Sequence, residues 1–278
     1  MSKVFSLSVF FTLIFFQNAI ALETHLYLNN FQDTINQELV SRPIFNRTQV
    51  PEEETVHFHI EAGEKLILNI VNKLNKTVSL VIDGKVIGVL SSGNTNSFKL
   101  TIPEGIHYYG LGNELSALSA GAMIVVGSKR QKSFYLKFSE CDPSYNEAIH
   151  NESALPKYRP EKFMVNDRDF NVNNHHTHTG IEAKVGDSVQ IFLYNSSDFM
   201  HHAPHFHGFH VLIVKSDANK IYEGLWKDSF GMEPKSLYEL LLVPDKEGVY
   251  PIHNHNLITT TSESNYPGGM MTHMRINP

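Results

Sequence analysis

The chain has 278 residues, of which 41% are hydrophobic and 19% charged, and carries a formal net charge of −6. Those values fit a globular protein long enough for about two domains and argue against a disordered one. No basic run occurs anywhere, which argues against nucleic acid or an anionic membrane surface as a partner.

At the N-terminus, Lys3 precedes the mostly apolar run Val4 to Phe16, and Ala19-Ile20-Ala21 supplies a small-x-small cleavage pattern. Residues 1–21 read as a secretory signal peptide cleaved after Ala21, which predicts a secreted or periplasmic protein; a retained N-terminal anchor is the alternative. No later segment reaches the roughly 18 apolar residues of a membrane span. Cys141 is the single cysteine, so no internal disulfide is expected, and its loop-like setting SECDPSY gives it no role.

Strands and turns follow. Val56 to Ile60, Leu66 to Val71, Val78 to Ile82 and Val86 to Leu90 are β-branched runs divided by Ala62-Gly63-Glu64, Asn72 to Asn75 and Asp83-Gly84. Phe98 to Ile102, the turn Pro103-Glu104-Gly105, IHYYG and Ala122 to Gly127 complete a first unit. Strands are expected again at Phe163 to Val165, Ile181 to Val185, Ser188 to Tyr194, Phe209 to Val214, Tyr238 to Val243 and the C-terminal MMTHMRI. Two phrases recur. IEAGEKLILNIVN (60–72) matches IEAKVGDSVQIFLYN (181–195), and IPEGIHYYG (102–110) matches VPDKEGVYPIHNH (243–255). A period near 120 residues indicates a duplicated domain rather than a solenoid. The pattern predicts an all-β chain of two tandem β-sandwiches, at 22–128 and 161–278, with the polar segment 129–160 as the linker.

The segment HHAPHFHGFH (201–210) holds five histidines, and His253-Asn254-His255 adds a second His-x-His unit. Residues i and i+2 of a strand share a face, so His205 pairs with His207 and His253 with His255. If the two strands are neighbours, four imidazoles converge, and neutral imidazole is the commonest ligand for copper and zinc. A solvated surface of a histidine-rich chain is the competing reading, but two such pairs at the ends of apolar strands favour metal.

The stretch His202-Ala-Pro-His205-Phe-His207-Gly resembles the H-P-x-H-L-H-G motif of multicopper oxidases. YPIHNHNLITT followed by GGMM resembles their H-C-H-x-x-x-H-x-x-x-G-M motif. The resemblance is specific over 161–278, looser over 22–128, and extends to the two-domain members, small laccases and copper nitrite reductases. It implies tandem cupredoxin-like (plastocyanin-like) Greek-key sandwiches, copper as cofactor (with zinc the other imidazole metal) and a homotrimer. His205 would match a type 2 copper ligand, and His207, His253 and His255 ligands of a type 3 pair. His202 would match a type 1 ligand and Met270 its axial methionine, at a longer spacing than the family's. The family's cysteine between the two histidines is Asn254 here, and its second type 1 histidine falls on Thr259. Where laccases read H-W-H-G and Y-H-S-H, this chain has SLVIDGKV (79–86) and Tyr109-Gly110-Leu111-Gly112. The resemblance therefore implies a half-set of imidazoles in the second domain, no intact type 1 copper site, and no recognisable ligands in the first domain.

His175, His176 and His178 form a second dense patch that reads as a solvated loop, and His57/His59 a third pair that reads as an exposed strand face. His107 and His273 read as hydrogen-bonded or surface residues, and strand alternation turns His210 away from His207. The trimer that the resemblance implies would let a neighbour's first domain lend His57, His59 or His107. Asp217 and Asp228 are candidate partners for an imidazole, with solvated loop carboxylates preferred. Two functions stand: a copper-dependent oxidoreductase acting on a small-molecule or metal-ion substrate, and a non-catalytic copper or zinc carrier or structural module.

Overall fold

In a computed structural model, which describes residues 21–130, 132–171, 179–262 and 265–278, the strands form two sandwiches in tandem. The segment 1–20 of the expected signal peptide, and His175, His176 and His178, lie outside the described residues. The first sandwich pairs a four-stranded sheet (Glu38–Asn46, Ala21–Ile35, Lys65–Asn72, Thr95–Leu100) with a five-stranded one (Phe58–Ile60, Met123–Val126, Gly105–Leu111, Val78–Ile82, Lys85–Leu90). Alternating residues such as Leu26 and Leu28, or Leu66, Leu68 and Ile70, point inward to one buried core.

The second sandwich joins a six-stranded sheet (Lys162–Val165, Lys132–Cys141, Val189–Asn195, Leu237–Leu242, Val211–Ser216, Trp226–Lys227) to a four-stranded one (Thr179–Lys184, Met271–Asn277, Gly248–Asn254, Pro204–Phe206). Its core holds Leu136, Ile191, Leu193, Phe206, Leu240, Ile252 and Met274.

The recurring phrases occupy equivalent places. Phe58–Ile60 runs parallel to Met123–Val126, as Thr179–Lys184 does to Met271–Asn277. Each is followed by a turn on a left-handed glycine, Gly63 or Gly186, both at φ +82°. The later phrases begin their strands at Gly105 and Gly248 (φ +143° and +146°).

Two expectations need correction. The segment 129–160 is not a linker. Its residues Lys132–Cys141 form a strand parallel to Val189–Asn195, and Asp142 caps the helix Pro143–His150 by accepting from the Tyr145 N–H at 3.0 Å. Polar residues there mask a strand whose second half, Leu136 to Cys141, is buried. The pattern also left 22–55 without strands, whereas Ala21–Ile35 and Glu38–Asn46 make a long hairpin. Asn36 and Gln37 both take φ > 0 between them, the backbone of a two-residue hairpin turn.

The sandwiches pack through Met123 and Val125 against Phe192, Tyr194 and Leu237. Beside this contact lies a buried charge cluster. Lys137 pairs with Asp167, Arg42 reaches Asp33 at 2.8 Å and Asp167 at 4.0 Å, and Asp167 accepts from both the N–H and hydroxyl of Thr55. Cys141 is buried next to Ile35, Val40 and Met164, and burial pushes its thiol up to about 12, the setting of an inert thiol. Among the described residues no helix is long and apolar enough to cross a membrane.

Candidate metal centre

Pro204–Phe206 and Gly248–Asn254 are antiparallel neighbours, with His205 opposite His253. Backbone bonds flank that pair on both sides: His207 N–H to Pro251 C=O (3.0 Å) and His255 N–H to Ala203 C=O (2.8 Å). His205 and His253 thus occupy a non-hydrogen-bonded position, where facing side chains approach most closely. Alternation does the rest. Pro204, Phe206, Ile252 and Asn254 point into the core, and His205, His207, His253 and His255 point out. Directly after His207 the chain turns on Gly208 at φ +76°, where a Cβ would also meet the Tyr250 ring at 2.6 Å.

Three of these imidazoles form a group. One ring nitrogen from each of His205, His207 and His253 lies within 4.8 Å of the others. His207 Nε2 and His253 Nε2 are 2.9 Å apart. Two ligands at right angles, about 2.05 Å from one metal, would be separated by about the same distance. The His255 ring lies 5.3 Å from that of His205 and stacks at 6.3 Å on that of His253. The donor set and spacing fit a single imidazole-bound metal ion.

The rings are aimed from behind. His205 Nδ1 donates to Ser229 Oγ (2.7 Å) and lies 3.3 Å from the Asp228 carbonyl, leaving Nε2 as its ligand atom. His253 Nδ1 donates to the Asn254 carbonyl at 2.8 Å, which likewise frees Nε2. His207 then donates its Nε2 proton to His253, and a metal would take that proton's place. Burial first, and then the neighbouring imidazoles, lower His207; burial likewise lowers His253, against the pull of the Asn254 carbonyl. Both rings are thus held neutral, the metal-binding form, at neutral pH. His207 and His255 are exposed while His205 and His253 are half-buried, so the face opens to solvent. The protein's clefts of about 250 Å³ (with Pro43, Leu115 and His150) and 220 Å³ (with Tyr108, Tyr194 and Lys235) are lined by other residues.

The remaining candidates fall elsewhere. His202 is buried behind the strand, its Nδ1 2.9 Å from Asn254 Nδ2 and its Nε2 3.1 Å from Glu140 Oε2. Met270 belongs to the core, its backbone bonded to Thr259 and Asn254. Both lie on the inward side, apart from the four outward histidines. His107 is held by Asp83 (2.6 Å) and the Pro103 carbonyl, and His59 by the Tyr135 hydroxyl and the Gly127 carbonyl. His57 stacks on Tyr135 and accepts from the Met123 N–H, and so, like His59, it is packed rather than presented on an exposed strand face. Asp228 serves through its carbonyl, and Asp217 accepts from the Leu237 N–H. Ser229, which orients His205, has no sequence signature; an isolated bridge between His205 and Ser229 brings it there.

The duplicated layout gives an internal comparison. Val81 stands opposite Gly110, and Gly112 donates to the Ser79 carbonyl, as His205 stands opposite His253 and His255 donates to Ala203. Aligning Gly105 with Gly248 places Gly110 and Gly112 at the positions of His253 and His255. Val81 and Asp83 then stand at those of His205 and His207. The first sandwich keeps the strand geometry and carries no imidazole at these four positions.

Tandem sandwiches with parallel closing strands, and a histidine face on the second, define a two-domain cupredoxin. Residues 147–276 match the multicopper oxidase family model. A blue copper oxidase from Nitrosomonas europaea superimposes with a TM-score of 0.76 at 19% identity, covering 92% of this chain and 86% of that one. The multicopper oxidase mgLAC gives 0.72 at 16% identity, with 92% and 86% coverage. A copper nitrite reductase from Nitrosomonas europaea gives 0.68 at 15% identity, with 92% and 94% coverage. A sequence comparison with curated proteins returns no match. The chain thus has the two-domain cupredoxin fold, and its second half is similar in sequence to multicopper oxidases.

Proposed function

We propose that this chain is an exported copper protein that holds one copper ion on the outward face of its second sandwich through His205, His207 and His253, with His255 as a fourth ligand. The observation that carries this reading is the 2.9 Å approach of His207 Nε2 to His253 Nε2, with a His205 nitrogen in the same group. The export part rests on the sequence of residues 1–21 alone.

A copper ion on an all-imidazole set supplies one-electron redox chemistry or Lewis-acid activation of a small molecule. The chain contributes the rest. Ser229 and the Asn254 carbonyl fix two ring tautomers, and the exposure of His207 and His255 leaves one side open to a reactant. No thiolate stands in the strand to relay electrons, since Asn254 occupies the middle of His-Asn-His with an amide that is neither charged nor soft. Its hydrogen bonds to His202 and Ala203 support the absence of a type 1 copper there. Electrons would pass between the metal and a small-molecule or metal-ion substrate directly. The same open face favours a second reading, a carrier that loads and releases copper without turnover.

Competition titrations with Cu(II) and Zn(II) on the wild type and on the His207→Ala variant test the binding claim. Copper binding that is preferred over zinc and weakened by at least tenfold in the variant supports it. Equal affinity of the variant and the wild type would overturn it. Turnover of a phenol or of cuprous ion by the loaded protein separates the enzyme from the carrier.

A further inference from the structure

We propose that Asn254 and His202 are positioning residues of the histidine centre, forming a buried clasp that keeps the two His-x-His strands in register. The inference rests on the copper reading above. In an antiparallel ladder each hydrogen-bonded pair exchanges two backbone bonds. Here both rungs that flank His205 and His253 are halved. At one, His207 donates to Pro251, which has no N–H to return. At the other, His255 donates to Ala203, but the Ala203 N–H turns to the Asn254 side chain, whose Oδ1 accepts it at 2.7 Å. Two single bonds would join the three-residue strand Pro204–Phe206, which itself begins with proline, to Gly248–Asn254, its other edge being tied by the Phe206 N–H to the Asp228 carbonyl at 2.8 Å. The Asn254 amide replaces the missing half of the second rung.

What holds the amide is equally specific. With Oδ1 committed to Ala203, Nδ2 must face His202 Nδ1, 2.9 Å away. That ring nitrogen therefore accepts, so the His202 proton sits on Nε2 and is donated to Glu140 Oε2 at 3.1 Å. Glu140 Oε1 in turn accepts from the hydroxyls of Ser197 and Tyr158. Ser197 Oγ accepts from the N–H groups of Phe199 and Met200, and the His202 backbone exchanges two bonds with Met232. The His202 and Glu140 side chains are 0% and 1% exposed, and Asn254 is 0% exposed. Each end of this chain of bonds is anchored in backbone, so it fixes the loop 196–203 that leads into His205. Aspartate in place of Asn254 could not donate to His202, and an apolar residue could hold neither partner.

The test combines two measurements. In the metal-free wild type, nitrogen NMR of the imidazoles should find His202 protonated at Nε2 and bare at Nδ1, with the Ala203 and His255 amides protected from exchange together. In the Asn254→Ala variant, copper affinity should fall about 10- to 100-fold, as for other loss of groups that orient ligands. The His255 amide should exchange faster, and the EPR g and hyperfine values should shift at temperatures where the variant is fully folded. A purely structural Asn254 would lower the melting temperature and leave affinity and EPR parameters unchanged, which would overturn the proposal. So would a His202 proton on Nδ1, a measurement that needs no variant. A wild type that binds no copper would overturn the copper reading and with it the metal-positioning role, whereas the NMR result would still decide the clasp.

Discussion

Replacing Asp167 by alanine removes the negative centre of the contact between the sandwiches. Lys137 is 0% exposed and would keep hydrogen bonds to the Ser119 and Gly121 carbonyls (3.0 Å each) and to Thr55 Oγ1 (3.3 Å), but would lose the carboxylate it pairs with. Breaking one partner of a buried pair costs about 3–5 kcal/mol. The Thr55 N–H, which donates to Asp167, would lose its acceptor as well. Against roughly 5–15 kcal/mol for a whole domain this is a large fraction. At roughly 2–4 °C per kcal/mol, a loss of about 4 kcal/mol lowers the melting temperature by about 8–16 °C. Differential scanning calorimetry and urea unfolding would measure it, with Lys137→Met and the double variant closing a cycle. The double variant should regain much of the loss, because an apolar pair leaves no charge unmatched. A single-variant loss below about 1 kcal/mol, the size of an exposed ion pair, would refute the reasoning. Burial pushes the Asp167 carboxyl up, and the Lys137 and Arg42 charges more than reverse it, leaving it below its usual value. Its contribution is therefore full above about pH 4 and lost as pH falls through the lowered value.

Other outcomes follow from single residues. Burial first, then the Lys137 charge, lowers His57 to about 3, so the folded state resists protonating it while the unfolded chain protonates near 6.5. Stability from this group is complete above pH 6.5 and falls by up to about 2 kcal/mol by pH 5; unfolding curves of His57→Gln should show a correspondingly shallower pH dependence. Ser229→Ala should weaken copper binding by roughly tenfold, the low end of the usual range because the Asp228 carbonyl remains, as measured by competition titration. Cys141 should react with a thiol reagent only as fast as the protein opens, so labelling at native conditions should be slow and speed up in urea.

The repeated phrases and the four outward histidines were legible in the sequence because both depend on local periodicity. Alternation by two fixes which residues of HFH and HNH share a face, and recurring glycine turns mark the duplication. Alternation does not fix which strands are neighbours; the ladder between Pro204–Phe206 and Gly248–Asn254 does. The long hairpin at 21–46 was missed since its outward face is polar and its turn residues, Asn36 and Gln37, are not the usual glycine pair. The strand at 132–141 was read as linker because charged Lys137 and Glu140 lie inside it, and both are buried only by virtue of distant partners, Asp167 and His202. The same reason hides Ser229 and the Asn254 clasp. Partners 24 to 62 residues apart, as between Ser229 and His205 or Glu140 and His202, leave no periodic trace.

The central claim is tested most directly by copper content and EPR on the protein reconstituted with Cu(II), beside a His205→Ala/His255→Ala double variant. The account predicts one copper per chain with a type 2 signal and no intense visible thiolate band, and its loss in the double variant. No bound copper in the wild type, or an equal amount in the variant, would contradict it.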